Sequence, residues 1–345
     1  LDNYGKTPAI ISLIILFLYL LPSPYILILG QLISQIFNII DVNVAMLIGV
    51  ILSCIYTLKG GFKSIIRTDK IQFVFMFCGF SLLFLTLLFS KDYGMSVLFD
   101  LFERNPEMLS IPGKQNWPYI LIWGFFALAT FIDPNFNQRV FAGKNLKTVQ
   151  NSIKWAILCW FIFDMMTITS ALFYFEIFKL DSSSIQNINS PYIELAFHVF
   201  SSNPIFLGLF FMSLLSIVMS TIDSFLFVSG CTIGKDILPI LLKSTSAKVI
   251  PYTRFGIIIS GAISVILATF FQNAIDIWYV SGSFAVSCIF LPLLCVFYRV
   301  KLRFPLVVII LPGVVTLFWF CFGPQSVDPM YPGIFSSVIC FLILR

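Results

Sequence analysis

Tyr56-Thr57-Leu58-Lys59-Gly60-Gly61-Phe62-Lys63-Ser64-Ile65-Ile66-Arg67-Thr68-Asp69-Lys70-Ile71-Gln72 is a charged stretch with paired glycines, set between two apolar runs of membrane-crossing character. Lys59, Lys63, Arg67 and Lys70 crowd this one connection. Cations held beside spanning helices mark the cytoplasmic side, so the stretch assigns a sidedness as well as a turn. Gly60 and Gly61 read as that turn, because glycine accepts backbone conformations closed to other residues.

Working outward, ten predominantly apolar runs appear, measured against the roughly 20 residues that a spanning helix needs. They cover residues 9–36, 43–58, 71–89, 117–136, 153–175, 204–230, 252–271, 274–298, 305–322 and 332–344. Alternate connections collect the cations: the four above, then Arg139, Lys144, Lys147 and Lys154, then Lys235, Lys243, Lys248 and Arg254, then Arg299, Lys301 and Arg303. These are fifteen of the twenty-one Lys and Arg residues. The intervening connections carry Asp92, Asp100, Glu103, Glu107, Asp181 and Glu194 instead. Both ends of the segment are therefore expected on the cytoplasmic face of a cell membrane, a bacterial inner membrane by this reading. Long apolar runs without two-residue alternation exclude an outer-membrane barrel. The expectation is an all-α polytopic membrane protein, with residues 1–345 forming a single transmembrane domain.

Apolar residues make up 59% of the chain and charged ones 11%, against roughly 25% charged in soluble domains. The net charge of +5 is distributed over interhelical loops, which fits a lipid bilayer as partner and excludes a nucleic-acid-binding stripe. Eight cysteines lie in or beside apolar runs with no Cys-x-x-Cys pair, and they read as small buried apolar residues. One histidine, His198, has no metal-binding spacing around it, and neither a Gly-x-Ser-x-Gly elbow nor a phosphate loop occurs. An enzyme and an ATP-driven pump are thereby disfavoured, no cofactor is expected, and any active transport draws on a gradient.

The run 204–230 holds the sharpest candidate site. Adjacent hydroxyls at Ser220 and Thr221, deep in the run, offer oxygens that could replace part of the hydration shell of a hard monovalent cation. The plainer reading is that such hydroxyls bond back to their own helix. Asp223 adds weight to an ion path, since a carboxylate within a span faces a cavity, a partner or an ion. Asp164 in run 153–175 is expected to pair with a polar neighbour. Pro22 and Pro24 should open the ladder of the first run, so that Ser23, Tyr25 and Gln31 become substrate-side candidates. Trp123 and Phe126 in run 117–136 are weaker ones.

Three motifs resemble the sodium/solute symporter family, typified by sodium/proline and sodium/glucose symporters. These are Tyr56-Thr57 with Gly60-Gly61, Thr68-Asp69 and Gln72; Gln138-Arg139-x-x-Ala142-Gly143-Lys144, where Gly143 stands for the usual second Ala; and Met219-Ser220-Thr221-x-Asp223-Ser224 followed by Gly234-Lys235-Asp236-Ile237. The resemblance implies the LeuT-like fold of two inverted five-helix repeats, with sodium and a small organic solute near the midplane. It implies sodium contacts at Ser220, Thr221 and the Ile217 carbonyl, and a place for Asp69 on the inner release path. Asp69 alternatively reads as a cap of run 71–89.

Aligned in this way, residues 9–298 correspond to core helices three to ten, and residues 305–344 to additional helices. The resemblance then implies a fold incomplete at its N-terminus, with only half of the sodium site within this chain. The functional expectation is sodium-coupled symport by alternating access. A truncated, non-transporting remnant or a membrane sensor domain is the alternative.

Overall fold

The computed structural model describes residues 4–113, 115–179, 190–242, 248–324 and 327–344. Its elements are α1 (Lys6–Tyr19), α2 (Ser23–Phe37), α3 (Val42–Phe89), α4 (Gly94–Arg104), α5 (Trp117–Phe126), α6 (Ala129–Ile132), α7 (Pro134–Phe141), α8 (Leu146–Ile177), α9 (Pro191–Val199), α10 (Pro204–Cys231), α11 (Leu238–Leu242), α12 (Val249–Thr269), α13 (Ala274–Phe297), α14 (Pro305–Phe322) and α15 (Met330–Leu344). Large apolar side chains face outward along them, as Trp155, Phe161 and Ile162 do on α8. A soluble protein would bury such rings, and hydrocarbon is the solvent that accommodates them.

α3 consists of two helical arms joined across a kink at Gly61, whose backbone stands at φ 57°, ψ −157°. That backbone region is essentially reserved for glycine. Two contacts with α10 show what Gly61 does. Ser53 reaches Met219, and Gly79 lies against Ser213. In a straight helix Ser53 and Gly79 would stand about 39 Å apart, whereas their partners on α10 are separated by about 9 Å at 1.5 Å per residue. The chain therefore folds back at Gly61. One arm packs Met46 and Val50 with Val218 and Ile222, and the other packs Phe80 and Leu83 with Phe210 and Leu214.

Seven helical stretches among the described residues are long and apolar enough to cross a membrane. The expected ten differ from this for identifiable reasons. Val42–Phe89 counts once but supplies two crossing arms, and α15 is apolar but short. Residues 117–136, expected as one span, form the separate helices α5, α6 and part of α7. The break between α6 and α7 follows from Asp133-Pro134: the residue before proline is pushed out of helical conformation, and the Asp133 carboxylate caps α7 by accepting from the Asn135 N–H at 2.8 Å. A second break separates α1 from α2, where Pro22 precedes the first turn of α2.

α10 lies at the centre, against α2, both arms of α3, and α12. It meets α12 where Gly230 and Gly256 remove side chains from the crossing. A Cβ on Gly256 would stand 2.6 Å from the Gly230 carbonyl oxygen, and one on Gly230 would stand 2.9 Å from the Ile257 nitrogen. Small residues permit such backbone approach in membrane bundles. Beyond it the chain widens into a π-helical turn, Thr232–Ile237.

Candidate ion site

Asn203 caps α10 by accepting from the Phe206 N–H, and Pro204 occupies the first turn, where its missing N–H leaves nothing unpaired. Hydroxyls then recur along the helix. Ser213 donates to the Phe210 carbonyl and Ser216 to that of Met212, the internal bonding expected of serines in a span.

Ser220 departs from that pattern. Its hydroxyl donates to Asp69 Oδ1 at 2.7 Å, joining α10 to the second arm of α3. Thr221 follows the plainer pattern and donates to the Ile217 carbonyl at 3.1 Å. The fold thus holds the Thr221 hydroxyl against the Ile217 oxygen, with the Ser220 hydroxyl on the adjacent residue.

Asp69 also accepts from Arg139 Nη2 at 3.2 Å through its other oxygen. The same guanidinium nitrogen donates to Ser224 Oγ at 2.8 Å, while Nη1 donates to the Asn135 carbonyl at 3.2 Å. Arg139 therefore spans α7, α3 and α10. Its helix is in turn fixed by buried Asp133, which accepts from both the backbone and side-chain nitrogens of Asn135. The capping role considered for Asp69 is not found, for a physical reason: the second arm is already helical before residue 69, so no orphan N–H is there to cap.

Asp223 faces other groups. It is fully buried, with Tyr56, Ser53 and Gln72 of the two α3 arms around it. Among the described residues neither of its carboxylate oxygens, nor Tyr56 Oη, nor Gln72 Oε1, reaches hydrogen-bond geometry. Asp164, by contrast, lies on an exposed position of α8, and the polar partner expected for its carboxylate is not found among the described residues.

The substrate-side candidates are dispersed. Ser23 is buried in the first turn of α2, and its hydroxyl has no partner among the described residues. Tyr25 packs its ring 5.2 Å from that of Phe225 on α10. Gln31 donates to the Gln272 carbonyl at the α12–α13 turn. Trp123 stacks on Trp278 of α13 at 6.2 Å. The Phe126 side chain lies outside the described residues.

A family model described as the sodium:solute symporter family matches residues 5–302. The chain belongs to this family. No curated protein matches this symporter family member. Among solved structures, a Na+-coupled sialic acid symporter in a substrate-bound, outward-open state is similar, with a TM-score of 0.73 and 20% identity. The match covers 96% of this chain and 73% of that one. At this identity the likeness establishes the fold: the family member has the LeuT-like, all-helical architecture of sodium-coupled symporters and is a multi-pass membrane protein. Sodium-coupled solute symport is the activity of the family.

Sequence reasoning read Arg139 as a loop cation and as part of a motif, and gave it no place in the ion site. The available signal was a cation in the short amphipathic segment after Asp133-Pro134, but its partner Asp69 is seventy residues away. Neither Asp133 as the organiser of α7 nor Ser224 as an Arg139 partner was singled out.

Proposed function

We propose that this protein imports a small organic solute across the cell membrane on an inward sodium gradient, with the Lys59–Lys70 connection on the cytoplasmic side. Sodium binds at Ser220, Thr221 and the Ile217 carbonyl, leaves past Asp69, and alternating access carries solute with it. The observation that carries this reading is the Ser220 to Asp69 hydrogen bond. It joins the hydroxyl pair of α10 directly to a carboxylate that can receive a departing cation, with Asp223 as a second carboxylate of the ion pathway on the same helix.

Two hydroxyls and one carbonyl do not offset the dehydration of a sodium ion by themselves, so further oxygens complete the shell. Arg139 stands where the departing ion needs to pass. While the site is empty its guanidinium neutralises Asp69, and sodium arriving at Asp69 displaces it. Release is then an exchange of one cation for another, which keeps the carboxylate from being left bare in a low-dielectric setting. Coupling follows only if sodium and solute favour the same conformations, since a ligand shifts an equilibrium only through differential affinity.

Entry of radiolabelled sodium into proteoliposomes tests the function, with and without an external mixture of amino acids, sugars and carboxylic acids. Solute-stimulated sodium entry that is lost in Ser220→Ala supports it. Sodium entry indifferent to every class of solute refutes symport.

A further inference from the structure

α12 begins beside the C-terminal end of α10, where Gly256 meets Gly230, and Phe227 of that same end stacks on Phe62 next to Gly61. The far end of α12, and with it the start of α13, therefore lies at the opposite end of the bundle from the Gly61 turn. At that end α5, the first turns of α13, Gly323 and Pro324 after α14, and Val327 to Pro329 before α15 border an open cavity of about 650 Å³. Tyr119, Tyr279, Trp319, Phe320 and Tyr331 contribute to its lining, together with Asp328.

The walls are fixed rather than loosely apposed. The Tyr331 hydroxyl donates to the Pro118 carbonyl, tying α15 to α5. Trp319 Nε1 donates to the Val327 carbonyl at 2.9 Å, and Asp328 Oδ1 accepts from the Met330 N–H at 2.9 Å. The rings continue inward, with Trp123 6.2 Å from Tyr119 and 6.5 Å from Tyr279.

Among the described residues no Lys, Arg or His belongs to this lining, and no ion pair includes Asp328. One carboxylate is thus set among aromatic groups whose ring faces carry negative potential, with no cation among the described residues of the lining. An aromatic belt at a membrane interface would direct its rings to lipid. Tyr279, Trp319 and Tyr331 are instead partly buried and border a concavity within the size range of small-molecule sites, while Tyr119 and Phe320 at its rim are more exposed. A carboxylate- or phosphate-bearing solute would be repelled by Asp328, and a neutral one would gain nothing from a charge that otherwise meets only the first turn of α15.

We infer that this cavity is a binding site for a small organic cation of the substituted-ammonium class, separate from the ion site at Ser220 and Thr221. The rings accept the apolar, charge-bearing substituents and Asp328 supplies the counter-charge. The site does not depend on sodium coupling, so it stands or falls separately from the function proposed above.

Equilibrium binding of radiolabelled tetramethylammonium to the purified protein in nanodiscs, at fixed ionic strength, tests it. Saturable binding is expected. Asp328→Asn keeps an oxygen for the Met330 N–H and removes only the charge, and should weaken binding about tenfold. Asp328→Glu should retain binding within about threefold, and Trp319→Leu should weaken it about fivefold. Neopentyl alcohol, a neutral molecule of similar shape, should compete at least about tenfold less well. Absence of saturable binding, equal affinity in Asp328→Asn, or equal competition by the neutral alcohol would each overturn the assignment. Unchanged elution of the variants in size-exclusion chromatography shows that a loss of binding is not a loss of fold.

Discussion

Ser220 and Thr221 are neighbours in sequence with different commitments, one hydroxyl reaching across to Asp69 and the other turned to its own helix. Replacing either by alanine removes an oxygen from the ion and none from the solute. Each change should therefore raise the sodium concentration for half-maximal transport by about fivefold to a hundredfold, for a loss of roughly 1 to 3 kcal/mol. Solute affinity at saturating sodium should hold, and a reversed pattern would reassign the hydroxyls to the solute. Asp69→Asn retains a partner for Ser220 but removes the charge that attracts sodium toward Arg139. It should slow turnover more than it weakens sodium binding, read as kcat against the half-saturating sodium concentration. The hydroxyl pair and Asp223 were legible in the sequence because polar groups in an apolar run stand out against their surroundings. The bonds they make were not. Ser220 and Asp69 are 151 residues apart, and which of several polar groups meet depends on how α10 and the α3 arms turn about their axes.

At the scale of the helix, reversal at Gly61 brings both arms of α3 onto α10, so that Ser53, Tyr56, Asp69 and Gln72 all approach one stretch of it. Gly61→Ala would place a side chain at a backbone conformation that disfavours it by roughly 1 to 3 kcal/mol. Space is not the obstacle, since an added Cβ would meet only Phe227 at 4.0 Å. Gly60→Ala should also be costly, for a different reason: the added Cβ would stand 2.1 Å from the Ser64 Cβ, which no side-chain rotation moves. Thermal unfolding in detergent should register a loss in both, and an unchanged midpoint in Gly61→Ala would mean that the reversal does not need glycine. The paired glycines announced a turn in the sequence. The division of residues 117–136 was less apparent, since its apolar content is that of a continuous span and only Asp133-Pro134 signals the interruption.

For the whole molecule, charge alternation places the Gly61 turn on one face and the α9–α10 connection on the other. Cysteines introduced at Lys63 and Ser202, in a background from which exposed Cys78 and Cys321 have been removed, should react with impermeant reagent from opposite sides. Labelling of both from one side would refute the arrangement. Hydropathy and loop charge made this architecture readable because they act through composition over many residues, whereas the aromatic cavity near Asp328 exists only once α5, α13, α14 and α15 have converged. The Arg139 to Asp69 pair has an electrical consequence. A protein that has discharged its sodium and reorients with Asp69 already neutralised moves little net charge through the field, while the loaded protein moves the sodium. The membrane potential, worth about 2.3 kcal/mol per charge per 100 mV, then acts on the forward stroke and leaves the return nearly indifferent to voltage. Replacing Arg139 with glutamine would hand part of that sensitivity to the empty carrier, which solid-supported-membrane currents can register as a voltage-dependent return.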